Sequence, residues 1–184
     1  MSMALLAVAA SYRPESLNKR LLNMAVEQAR GNGASVTVLD YAALEAPMYR
    51  GETSVDALPE QIVALSSALR AHQGMLIAMP EYNWAMPGSL KNIIDWLSID
   101  PSAPLNGKSA LLMCATPSMR SGISGLQNLR TTLGVLGMWT YPQLIGIGKA
   151  EEQMRDTHLA READQRHLAY CVQDFIRATK ALHA

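Results

Sequence analysis

A chain of 184 residues, 49% hydrophobic and only 5% aromatic, can bury a sizeable core as a single domain (residues 1–184) and suits an α/β layered structure. Lysine plus arginine (16) equal aspartate plus glutamate (16), which leaves no basic excess for nucleic acid or an acidic membrane and no strongly acidic surface of the electron-carrier type. Cys114, Cys171 and the scattered His72, His158, His167 and His183 show no metal-ligand spacing, so no metal site is expected and both thiols should be buried and free.

The uncharged run Met3 to Ala10 is too short to span a membrane and lacks the positive segment that opens a signal peptide; a cytoplasmic location is expected. The run reads as a strand. It leads through Ser11-Tyr12-Arg13-Pro14-Glu15-Ser16-Leu17-Asn18 into a helix with Leu17, Leu21, Ala25 and Ala29 on one face. A strand, a hydroxyl-rich loop and a helix start make a good anion holder, because the first N–H groups of a helix lack internal partners and its dipole favours negative charge. Ser11, Ser16 and Asn18 add short donors, and Arg13 can give a phosphate two parallel charge-assisted bonds. A local reading stands beside this one, with Ser16 as helix N-cap, Asn18 as a first-turn residue and Arg13 as a solvated cation. A second, independent site has to decide between them.

Gly31-Asn32-Gly33 ends the first helix, and Ser35 to Asp40 alternates as a second strand. The irregular stretch Leu44 to Glu52, with Pro47, Met48, Tyr49 and Arg50, is a surface crossover or a cover for a site or a partner. Pro59 suits a helix start, followed by an apolar face through Ile62, Leu65 and Leu69. Gly74 stops that helix, and Met75 to Met79 has the pattern of a strand buried on both faces. The loop Pro80-Glu81-Tyr82-Asn83-Trp84-Ala85-Met86-Pro87-Gly88 precedes a helix from Ser89 to Ser98, with Lys91 and Asp95 spaced to meet. Ser109 to Ala115 is a fourth strand, trailed by Thr116-Pro117-Ser118-Met119-Arg120-Ser121-Gly122. A helix through Leu126, Leu129, Leu133 and Leu136 ends at Gly137. Tyr141 to Gly146 is a weaker fifth strand, since Pro142 fits only an edge or a strand start. A long helix from about Leu159 to Leu182 closes the sequence.

Five strands alternating with helices predict a parallel, doubly wound sheet of order 2-1-3-4-5, a three-layer sandwich. Ligands in such sheets bind beyond the carboxyl ends of the strands where the order reverses, here between strands one and three. The loops after strands one, three and four therefore converge, and they are the loops richest in polar and aromatic residues. Tyr82 and Trp84 offer aromatic surface, and Asn83 with nearby backbone can bond a ring edge. The expected ligand is a mononucleotide with a planar ring; the alternative makes Tyr82 and Trp84 packing residues and Glu81 a solvated carboxylate.

These residues resemble the NAD(P)H-dependent FMN reductase family of flavodoxin-like proteins, which includes soluble quinone, azo-dye and chromate reductases. The resemblance covers most of the chain. The family's signature Gly-Ser-x-Arg-x-x-Ser-x-Asn is met by Ser11, Arg13, Ser16 and Asn18, with Ala10 in place of its leading glycine. A second signature is met by Pro80-Glu81-Tyr82-Asn83 and by Pro87-Gly88-Ser89-Leu90-Lys91-Asn92-Ile93-Ile94-Asp95-Trp96. The resemblance implies that FMN's phosphate sits on Ser11, Arg13, Ser16 and Asn18 and its ring against Pro80, Glu81, Tyr82 and Asn83; Trp84 continues that loop, and Ser118 and Arg120 are the third-loop residues assigned to the ring. Relatives usually carry a glycine pair after the fourth strand, whereas Gly122 and Gly125 are separated here. It further implies NADPH or NADH as co-substrate, a small-molecule electron acceptor, no catalytic acid or base, and a homodimer or tetramer with Met48-Tyr49-Arg50 near a neighbouring flavin. Two rivals remain: an FMN electron carrier of the flavodoxin type, and an enzyme that releases reduced FMN to a separate monooxygenase. An iron–sulfur flavoprotein is disfavoured by the missing cysteine cluster.

Overall fold

Strand β1 (Met3–Ala9) carries no charge because both of its faces are covered: Leu5, Ala7 and Ala9 point into one core layer, Leu6 and Val8 into the other. The computed structural model describes residues 3–51 and 54–184; Glu52, at the end of the expected crossover stretch, lies outside them. The same alternation runs through β3 (Gly74–Ala78) and β4 (Ser109–Ala115), which sends Leu76, Leu111 and Met113 one way and Met75, Ile77 and Leu112 the other. Helices α1 (Leu17–Gly31) and α6 (Glu162–Leu182) close the first layer, Leu21 and Ala25 meeting it from α1 and Val172 and Phe175 from α6. On the other side lie α2 (Glu60–Ala71), α3 (Gly88–Ser98) and α4 (Ile123–Val135), through Ile62, Ile93 and Leu129 among others.

All strand pairs in the sheet are parallel, in the order β2 (Ala34–Val38), β1, β3, β4 and then β5 (Trp139–Thr140). This is the expected order, with its reversal between β1 and β3. The register matters for function: Ala9 pairs with Ala78, and Ala78 with Met113. The three loops that follow β1, β3 and β4 thus leave the sheet at nearly one level.

The fifth position departs from the expected single strand over Tyr141 to Gly146. It is split into β5, beside Ser109 and Ala110, and β6 (Ile145–Ile147), beside Met113 to Ala115, which makes six strands among the described residues. Pro142 falls in the interruption, where it has no N–H to give a ladder. The carbonyls exposed by the break are satisfied instead by Arg130, whose guanidinium donates to Tyr141 O at 3.0 Å and Pro142 O at 2.7 Å. The last helix also starts later than expected, at Glu162. Leu159 is held in a bridge with Met154, and its N–H donates to Gln165 Oε1 at 2.8 Å. The short α5 (Ala150–Gln153) before it had no sequence signal.

Candidate functional site

A cavity of about 390 Å³ lies at the carboxyl ends of β1, β3 and β4. Ser11, Arg13, Ser16 and Asn18 line it from the first loop, and Pro80, Glu81 and Tyr82 from the second. Thr116 and Pro117 line it from the third. Asn83, Trp84 and Ser118 lie outside that lining. Arg20, Glu151 and Thr116 are lining residues that sequence reasoning missed. Glu151 arrives only because α5 folds back over the site, while Arg20, one helical turn beyond Ser16, was legible in principle.

In the first loop, Ser16 caps α1: its backbone is extended (φ −70, ψ 125) and its Oγ accepts the Asn18 N–H at 3.2 Å. Both serines are buried, Ser11 at 5% and Ser16 at 7% exposure, yet they face the cavity. Asn18 is occupied by the protein. Its Nδ2 donates to Ala115 O at 2.9 Å and its Oδ1 accepts the Ala115 N–H at 2.8 Å, which ties the start of α1 to the end of β4. One amide hydrogen is left for a ligand. Arg13 is exposed and makes no hydrogen bond or ion pair among the described residues. Arg20 is anchored on Met154 O and Arg155 O, so it carries positive charge into the cavity wall from a fixed position. Two buried hydroxyls, a helix start and an uncommitted guanidinium form the chemistry of a site for a phosphate dianion.

The second loop is a tight turn. Tyr82 and Ala85 exchange backbone hydrogen bonds, both 3.0 Å, around Asn83 (φ 50) and Trp84 (φ 68). Two positive φ values mark the turn type that Asn and Gly favour, so a tryptophan there is strained and its ring is thrown outward, 57% exposed. Glu81 is not solvated, as the alternative reading had it: its Oε2 accepts the Gly125 N–H at 2.6 Å, a carboxylate on the first turn of α4. A Cβ at Gly125 would come within 3.0 Å of Ala85 O, so only glycine lets α4 lie this close under the turn. Beneath it, burial pushes the Cys114 thiol up to about 12, so Cys114 is a neutral core residue.

The third loop is held by backbone. Thr116 Oγ1 accepts the Ser118 N–H, and Ser118 O accepts the Lys149 N–H at 3.0 Å. At its tip the Arg120 guanidinium lies over the Trp84 ring, 4.1 Å from the centroid. The helix signature residues act away from the cavity: Asn92 accepts the Tyr49 N–H and donates to Ala46 O and Pro47 O, while Trp96 Nε1 donates to Pro47 O at 2.7 Å. These bonds pin the crossover 46–49 against α3. Lys91 and Asp95 form the expected ion pair on its outer face. Among the described residues no group of three His, Cys, Asp or Glu is placed to hold a metal, and no helix is long and apolar enough to cross a membrane.

A doubly wound sheet with a polar cavity at its reversal point is the architecture of α/β proteins that bind ligands beyond the carboxyl ends of their strands. The family described as NADPH-dependent FMN reductase matches residues 3–152, and the chain belongs to it. The chain is 31% identical over 128 residues to an NAD(P)H-dependent FMN reductase of Pseudomonas aeruginosa, covering 70% of this chain and 68% of that one. It is 36% identical over 88 residues to a quinone reductase of Escherichia coli, a match that spans only 47% of each chain. In fold it is similar to the flavoenzyme NAD(P)H:(acceptor) oxidoreductase FerB from Paracoccus denitrificans, with a TM-score of 0.83 over 97% of this chain and 98% of that one at 24% identity.

Proposed function

We propose that this protein is an FMN-dependent NAD(P)H oxidoreductase that passes reducing equivalents to a small acceptor such as a quinone, an azo compound, a metal oxyanion or free flavin. The observation that carries the reading is the junction of an anion cradle and an aromatic loop in one cavity of about 390 Å³. Family membership supports it independently.

The residues fit the cofactor. Ser11, Ser16 and Arg13 hold the phosphate, with the remaining hydrogen of the Asn18 amide in reach of the same place. Pro80, Glu81, Tyr82 and Asn83 flank the ring, Trp84 extends that wall, and Ser118 stands on the opposite loop. FMN held there would supply the redox chemistry of hydride transfer, with NADPH or NADH as co-substrate. The chain's own work is placement. Glu81 fixes the turn by holding Gly125, and the turn in turn sets Tyr82, 53% exposed, at the mouth of the cavity. No side chain is assigned a general acid or base role; the protein's electrostatic part in this reading would be a donor near the ring edge, where reduction builds negative charge.

One domain is the reading for the whole chain, because a single sheet runs from residue 3 to residue 147 and α6 packs back on α1. A cytoplasmic homodimer or tetramer is the accompanying proposal, supported by the family resemblance of the Met48-Tyr49-Arg50 segment.

The test is a visible spectrum of the protein with added FMN, before and after anaerobic NADPH and then NADH. Flavin bands that shift on binding, bleach with a nucleotide and return with a quinone are expected. Flavin that binds but resists both nucleotides overturns the reductase in favour of a carrier, and no binding overturns both.

A further inference from the structure

At the mouth of the cavity, in the loops after β3 and β4, stand four exposed side chains that the phosphate cradle does not use; of these Tyr82 also lines the cavity, and Trp84, Met119 and Arg120 lie beyond its lining. Tyr82 and Trp84 come from one loop, Met119 (77% exposed) and Arg120 from the other. The backbone at Trp84 is held: reciprocal bonds between Tyr82 and Ala85 close its turn, and the Glu81–Gly125 bond fastens that turn to α4. Arg120 lies over the indole yet forms no ion pair, and its side chain has no hydrogen bond among the described residues. The cation is therefore placed by the ring rather than by a carboxylate. Its five N–H groups remain available, and a guanidinium meets planar, two-oxygen anions with a matched pair of bonds.

An aromatic wall with one uncompensated, ring-held cation suits a ligand that is flat, apolar and negatively charged at its edge. A neutral planar molecule gains only the stacking. A small inorganic oxyanion gains only the charge.

We propose that the Trp84–Arg120 pair is a recognition site for planar aromatic anions, namely sulfonated or carboxylated quinones and azo compounds and ionised hydroxyquinones, and that it biases the enzyme towards acceptors of that class. The bias in turnover rests on the reductase reading above; the binding does not.

The experiment has two arms. In the first, naphthalene sulfonate is titrated into the protein with and without FMN, following tryptophan fluorescence. Quenching is expected in the parent protein, to be lost in Trp84→Phe and shifted to about ten-fold higher concentration in Arg120→Ala, with Arg120→Lys between. In the second arm, kcat/KM is compared for a naphthoquinone and its sulfonate. Arg120→Ala is expected to lower the value for the sulfonate about ten-fold and change that for the neutral quinone by less than about two-fold, and added salt should reproduce the loss in the parent protein only. Absence of sulfonate binding to the parent overturns the proposal, as does an unchanged sulfonate value in Arg120→Ala. Equal losses for both quinones overturn it too, by reducing Arg120 to a support for the turn. Should no flavin bind, the reductase reading falls, and the fluorescence titration still decides the site.

Discussion

The Glu81 carboxylate accepts the backbone N–H of Gly125 at 2.6 Å, so an acidic residue that lines the cavity is committed to joining the loop after β3 to helix α4. Removing it in Glu81→Ala leaves a first-turn N–H unpaired under the loop and should cost about 1–2 kcal/mol. Glu81→Gln keeps an acceptor and should cost less. Urea unfolding of the flavin-free protein measures both; a stability loss that appears only with flavin bound would make Glu81 a ligand instead of a joint.

The partner position makes a separate prediction. A Cβ at Gly125 meets Met79 Cε at 2.9 Å, Ala85 O at 3.0 Å and Glu81 Cγ at 3.1 Å. The methionine end can move, but the Ala85 carbonyl belongs to the closed turn. Gly125→Ala should therefore destabilise by about 1–3 kcal/mol and displace the turn. Because the two residues touch, the double variant should lose less than the sum of the single losses.

Asn18 acts as a strut between α1 and β4. Asn18→Ala removes both bonds to Ala115 and strands a buried N–H and C=O, so about 2–4 kcal/mol of stability should go. Asn18→Asp tests the donor half alone. The carboxylate accepts the Ala115 N–H but faces the Ala115 carbonyl, and burial favours its neutral form, so its pKa is raised on folding. A group with a raised folded pKa supports the fold below its unfolded pKa and loses that support as pH rises through the folded value. Asn18→Asp should approach the parent in mildly acidic urea melts and fall away towards neutrality, whereas Asn18→Ala should show no such trend.

The core strands were readable because burial on both faces erases polar alternation, and Ser109 to Ala115 is observed as expected. The split of the fifth strand was only half readable. Pro142 announced the weakness, but the compensating bonds from Arg130 are tertiary. In the site, residue types pointed to the loops that line the cavity, because an anion cradle needs hydroxyls and a helix start. Their division of labour was hidden: nothing in the order of residues shows that Asn18 and Glu81 are tied up by Ala115 and Gly125, or that Arg120 reaches Trp84. Glu151 was invisible because a four-residue helix leaves no periodic trace.

The cysteines set an alkaline limit. Burial pushes Cys114 from an ordinary value near 9.0 up to about 12, and Cys171 up to about 11. Across that window the unfolded chain has released protons that the folded chain keeps, so stability falls as pH rises from about 9 towards 12. At neutral pH both thiols should resist an aromatic disulfide reagent until the protein unfolds. Two thiols titrating in native buffer at the rate seen in denaturant would contradict the burial.

Under the proposed function Arg13 is the cation that meets the FMN phosphate. Its guanidinium is exposed, lines the cavity and has no protein partner among the described residues, so losing it should leave the fold unchanged. Its bonds to a phosphate are charge-assisted, and Arg13→Ala should raise the FMN dissociation constant about ten- to hundred-fold. Arg13→Lys keeps the charge but not the planar fork, and should fall between. A comparison with riboflavin separates the causes. Riboflavin has the ring without the phosphate, so its weaker binding should be the same in Arg13→Ala and in the parent, and FMN binding to the variant should respond less to salt. Equal weakening of FMN and riboflavin would place Arg13 against the ring, and unchanged FMN affinity would remove it from the site.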